Sequence, residues 1–179
     1  SAAEQRRIAR ELCQIGYTER DVIGLIPKPL ASFLLDVLDK WLAEDRSEPA
    51  VWAWLALLSN DRSHYYRGLH LHPNDQTLLT GAIHTALDEA AFQMHHVQDG
   101  GFIGDTEDAA AAIALAAEYA LRLDASDQKR SIISEISYFK SLLLAWKQYR
   151  LNDPQNSFPE WCRAKGYEFK FQEFKAHRD

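Results

Sequence analysis

Cysteine and methionine are scarce in this sequence: its 179 residues hold two cysteines and one methionine. Cys13 and Cys162 lie far apart and match no metal-ligand spacing, so neither a zinc ribbon nor a dense disulfide framework organises the fold. Free thiols suit a reducing cytosol, which makes the cytoplasm the expected location; a single bridge between the two cysteines stays an alternative. Long hydrophobic runs are missing as well. The longest apolar stretches reach about ten residues, too short for a membrane-spanning helix. No basic-then-apolar leader of the secretory kind opens the sequence. Strand patterns are nearly absent. Tyr167, Phe169 and Phe171 alternate at period two but have no second run to pair with. They are expected to form an extended tail docked on helices, or a last helical turn that also takes in Phe174. There is no nucleophile elbow, no pair of catalytic carboxylates and no cofactor fingerprint, so the expectation is a non-enzyme without a cofactor.

Positive charge is also in short supply, and unevenly so. The net charge is −6. From Gly68 to Gln128 there are ten acidic residues and one basic residue, Arg122, together with five of the seven histidines. Residues 1–67 are nearly balanced, and residues 129–179 lean basic, at ten against six. This pattern argues against general nucleic-acid binding, which needs a basic footprint to neutralise phosphates. It suits a cationic partner or a metal ion instead.

What is plentiful is helical periodicity. Ile8, Leu12 and Ile15 recur at helical spacing over residues 2–15, and Gly16 reads as the stop. Thr18 and Asp21 read as the cap of a short following segment, and Pro27 and Pro29 as breaks. Residues 30–45 carry Leu30, Phe33, Leu34, Val37, Leu38 and Trp41 on one face. Further helices are predicted over 48–58, 60–70 and 75–97, the last running through Leu78, Leu79, Ile83, Leu87, Ala91 and Met94. The alanine-rich stretch 106–123 is predicted to be central, because small side chains let a neighbouring helix approach closely. Ser126 caps a helix over 127–150, with Ile132, Ile133, Ile136, Phe139, Leu143 and Trp146 facing inward. Ser157 and Glu160 form a capping box for a short helix stopped by Gly166. The predicted fold is all-α, with eight or nine helices in antiparallel hairpins. Residues 1–150 are expected to form one helical domain, with a short helix and aromatic tail over 151–179 packed on it.

Residues 48–75 carry Tyr65, then Gly68 three residues later, then Leu69, Leu71 and Pro73-Asn74-Asp75. This ending resembles the closing signature of a tetratricopeptide-type helical hairpin. Tyr119, Leu121, Leu123, Ala125 and Asp127 echo it within 109–127. The resemblance implies an α/α scaffold, either superhelical or an irregular bundle, that binds peptides or proteins in a groove.

Several constellations compete for function. The leading expectation is a protein-interaction module whose acidic central surface binds a basic protein partner, with Asp88, Asp99, Asp105, Glu107 and Asp108 as electrostatic anchors. An immunity- or inhibitor-type protein that masks a basic toxin or nuclease is its specific version. The alternative is a metal site from His84, Asp88 and His95, which share one face if 75–97 is a single helix. His70, His72, Glu107 and Asp108 flank it. A second alternative is a DNA-binding regulator through residues 5–26, where Leu12, Gly16, Val22 and Leu25 mimic helix-turn-helix spacing; Glu19 and Asp21 would oppose phosphate there. The glycine loop 100–105 precedes a helix start, but Asp105, Glu107 and Asp108 already supply negative charge, so it reads as structural. Its Phe102 and Ile103 either pack inward or mark a contact point. Of Trp52 and Trp54, two apart on a helix, one is expected to face away from the other and is a candidate contact residue, with core burial as the alternative.

Overall fold

A computed structural model describes residues 1–18, 26–152 and 155–171. Among these the chain is all-α, with helical hairpins and no strand. It divides into two compact units, Ser1–Ala82 and Ile83–Asp179, the boundary falling inside one helix.

In the first unit, α1 (Ala2–Thr18), α2 (Lys28–Glu44), α3 (Pro49–Ser59) and α4 (Ser63–Leu71) precede the start of α5 (Gln76–Met94). Pro29 and Pro49 sit in the first turns of α2 and α3. A missing N–H costs little there, so Pro29 opens a helix rather than breaking the chain. α3 packs against α1, α2 and α4. Its residues Val51 to Ala56 are all buried, including both Trp52 and Trp54. A helix apolar all round must be enclosed on all sides, so neither tryptophan is left to mark a surface.

The buried face of α1 differs from the periodic one. Ala9, Cys13 and Gly16 are buried, whereas Ile15 is 53% exposed. Gly16 does not end the helix, which continues to Thr18. It lies beside Trp54, Leu57 and Leu58 of α3, where a small residue permits close approach. The guanidinium groups of Arg6 and Arg10 then cover the Trp41 ring at 5.5 and 5.3 Å. The predicted segment that follows, capped by Thr18 and Asp21, falls on residues 19–25 and lies outside the described residues.

α3 and α4 form a tight hairpin turned at Asn60, which adopts the left-handed conformation at φ 57°. A Cβ on Gly68 would stand 2.8 Å from the Trp52 Cβ and 2.9 Å from Leu78 Cδ1. Only glycine lets α4 come this close.

The second unit holds the rest of α5, a 3₁₀ turn (Val97–Asp99), α6 (Thr106–Leu121), α7 (Asp127–Leu151) and α8 (Phe158–Ala164). α6 packs along α7 and buries Ala109, Ile113, Ala116 and Ala120. Ser126 caps α7 by accepting the Lys129 N–H at 3.1 Å. The inner face of α7 is Ile132, Ile136, Leu142, Leu143, Ala145 and Trp146; Ile133 points outward at 47% exposure. α8 ends at Gly166, φ 79°, and the chain then runs extended to Phe171.

Candidate functional site

The end of α5 shapes the site. The helix stops at Met94, before His95 and His96, and the chain turns through Val97–Asp99. Gly100 and Gly101 close the turn by donating to the carbonyls of Val97 and His96 at 3.2 and 3.0 Å. His95 Nδ1 lies 2.6 Å from the Phe92 carbonyl oxygen. A carbonyl only accepts, so this nitrogen carries the proton. The His96 ring lies against His95, tilted by 39° with centroids 3.9 Å apart. His96 Nδ1 faces Asp99 Oδ2 at 3.5 Å, a long contact.

A groove of about 330 Å³ opens beside this turn. Met94, Val97, Phe139 and Leu142 supply apolar walls; His95, His96, Asp99 and Lys170 stand among its polar lining. Lys170 and Phe171 come from the extended tail, which the aromatic alternation holds in place. Tyr167 stacks on Trp161 at 6.0 Å, Phe169 on Tyr167 at 5.2 Å, and Phe171 meets Phe158 edge-on at 5.7 Å. Phe169 also meets Tyr138 edge-on at 5.8 Å. Burial pushes the Tyr138 hydroxyl above the ordinary phenol range, while a hydrogen bond with the Lys170 backbone pulls the other way. The tail is therefore a wall of the site as well as a cover for α7 and α8.

The predicted anchors separate into two groups. Asp88 is exposed on α5, one turn before the groove-lining Ala91, and Asp99 lines the groove itself. Asp105, Glu107 and Asp108 lie at the start of α6. Asp105 is the N-cap and accepts the Glu107 N–H at 2.9 Å. The Glu107 carboxylate accepts from Lys147 Nζ at 2.6 Å. Part of the acidic segment is thus met by the basic C-terminal third of the chain. Asp108 is exposed.

The face proposed to join His84, Asp88 and His95 does not extend as expected, because α5 ends before His95. Among the described residues, no group of three histidines, cysteines or acidic residues is placed to hold a metal ion. Of the region 5–26 read as a helix-turn-helix, α1 runs unbroken through Gly16, and residues 19–25 lie outside the described set. In the glycine loop, Phe102 packs inward, stacked on Trp146 at 6.1 Å, and the Ile103 N–H donates to the Gln93 carbonyl at 2.9 Å.

Sequence reasoning passed over Phe92, Tyr138 and Lys170. Phe92 is 58% exposed and lies 5.6 Å from His95. Its position on the polar side of α5, between Glu89 and His95, was the available signal. Both cysteines are free and buried.

The fold and groove define an all-α protein of helical hairpins with a lined surface groove in its second unit. No protein-family model, curated protein or solved structure matches the chain.

Proposed function

We propose that the chain is a non-enzymatic protein-interaction module whose acidic surface in the second unit receives a basic partner. One observation carries this reading. Phe92, an aromatic more than half exposed, stands one turn after the exposed carboxylates of Asp88 and Glu89 and next to His95. Residues three and four apart on a helix are neighbours, so the ring and both carboxylates share one patch. The ring offers apolar area, and the carboxylates select a cationic partner and speed encounter. Asp99 lines the neighbouring groove together with Lys170.

The close packing of α3 on α4 over Gly68 supports a scaffold of the tetratricopeptide kind in the first unit. Two free buried thiols suit the cytoplasm. An inhibitor or immunity-type protein that masks a basic toxin or nuclease is the specific form of the proposal.

Fluorescence anisotropy with a labelled lysine-rich peptide tests it. Binding is expected to saturate at low ionic strength and to weaken as salt rises. Reversal at Asp88→Lys with Glu89→Lys is expected to weaken it further, while Asp36→Lys on α2 leaves it nearly unchanged. Absence of binding at low ionic strength, or indifference to the Asp88 and Glu89 reversals, removes the reading.

A further inference from the structure

We infer that the groove beside Phe92 is an anchor pocket for one large apolar side chain of the basic partner, an inference that rests on the reading above. The volume, about 330 Å³, sits at the lower end of ligand pockets. It suits one bulky side chain better than a large cofactor. Met94, Val97, Phe139 and Leu142 give that side chain an apolar seat.

The rim chemistry fits a polypeptide on either side of the anchor. Asp99 and Lys170 carry opposite formal charges, so together they leave the mouth without a strong field. With the imidazoles of His95 and His96 they offer both donors and acceptors, as a peptide backbone requires. The rim imidazoles have local contacts: His95 Nδ1–H bonds the Phe92 carbonyl, and the His96 ring lies tilted against His95. Contacts of this kind reduce the ordering entropy lost when a partner docks. Charge complementarity sets the flanks. Asp88 and Glu89, one turn before the groove-lining residues of α5, meet lysine or arginine beside the anchor. Asp88 and Glu89 would repel the anionic head of a fatty acid or an acidic phospholipid, which argues for a protein segment.

The single methionine of the chain provides the test. Met94 is 2% exposed and lines the groove. Methyl-labelled methionine therefore places one NMR reporter in the pocket of the full chain. Three fluorescent peptides are compared at low ionic strength by anisotropy and by this methyl signal: Lys-Lys-Trp-Lys-Lys, Lys-Lys-Gly-Lys-Lys and Glu-Glu-Trp-Glu-Glu. The tryptophan–lysine peptide is expected to bind about tenfold or more tightly than its glycine counterpart, the gain from burying one large apolar side chain. It alone should shift the Met94 methyl resonance. His96→Ala, at an exposed rim position, should reduce that difference without unfolding the chain. Equal binding of the two lysine peptides with an unmoved Met94 signal overturns the anchor pocket while leaving the acidic surface standing. Failure of both lysine peptides to bind removes the basic-partner reading and the anchor with it. Equal binding of the glutamate peptide shows a pocket indifferent to charge and overturns the basic flanks.

Discussion

The ring of Tyr65 on α4 occupies the space that a side chain on Gly81 of α5 would need; a Cβ built there overlaps the ring carbons. Tyr65 is 6% exposed and has little room to withdraw. Two effects oppose each other in Gly81→Ala. Alanine gains about 1 kcal/mol of helix propensity over glycine. Overpacking a filled core costs about 1–3 kcal/mol. The clash is with the body of an aromatic ring rather than a flexible chain end, so overpacking wins. Urea denaturation of Gly81→Ala should show a lower midpoint at an unchanged slope. Adding Tyr65→Leu should make the alanine less harmful, a coupling that a double-mutant cycle reads directly. A midpoint equal to or above that of the parent would show that the ring moves aside freely.

Much of the fold was legible because helix ends carry local chemistry. Ser126, Asp105 and the Ser157–Glu160 pair each mark a helix start in the sequence, and each does so in the structure. The errors arise where burial depends on distant partners. Periodicity favoured Ile8, Leu12 and Ile15 on α1, but the packed face is Ala9, Cys13 and Gly16. Small residues win there because α1 lies close against α3, a fact no local pattern carries. Trp52 and Trp54 are both buried because α3 has neighbours on several sides. The groove was hidden for the same reason. Its wall joins Met94 and Val97 to Leu142 and to Phe171, and only the folded-back aromatic tail brings these together. The acidic character was readable from composition. The engagement of Glu107 by Lys147, forty residues away, was not.

The two thiols make a pH prediction. Burial pushes Cys13 from an ordinary 9.0 to about 12, and Cys162 to about 11. Both folded values lie above the unfolded one. The stabilisation is therefore fully present below pH 9 and is lost as pH rises from there toward the folded values. Each thiol contributes a slope of up to about 1.4 kcal/mol per pH unit in that window. Denaturation midpoints should fall between pH 9 and 11, and less steeply in Cys13→Ala. A colorimetric thiol reagent at pH 8 should label neither cysteine in the native protein and both in urea. Rapid native labelling, or a flat profile above pH 9, would contradict the burial of these groups.

The start of α8 should respond at the acid end. The Ser157 hydroxyl and backbone N–H both donate to Glu160 Oε2, at 2.8 and 3.0 Å. The hydroxyl bond first, and then the backbone bond, hold the Glu160 carboxyl below the ordinary carboxylate range. A depressed folded value means the stabilisation exists at neutral pH and is lost as pH falls through the carboxylate range. Ser157→Ala removes the stronger contribution and should lower the denaturation midpoint at pH 7, as losses of helix caps do. Because Phe158 and Trp161 anchor the tail, near-ultraviolet circular dichroism should weaken with it. Stability of the variant should also depend less on pH between 5 and 3. An unchanged acid profile would show that the capping box contributes nothing.

The Lys147–Glu107 pair separates the two groups of carboxylates. Its side chains are 34% and 75% exposed, so water and salt screen the attraction. A double-mutant cycle should return a coupling below about 1 kcal/mol that fades in high salt. Binding is the more informative readout. Lys147→Ala leaves Glu107 uncompensated beside Asp105 and Asp108 and makes the protein more negative. Affinity for a lysine-rich peptide should then rise at low ionic strength through the field of the whole unit. If contact is made at Phe92, Asp88 and Asp99, that gain should vanish near 0.15 M salt, where the screening length is about 8 Å. Direct contacts at the groove would survive such screening and distant charges would not. A gain that persists at this salt would place the start of α6 inside the contact surface and would move the site away from Phe92.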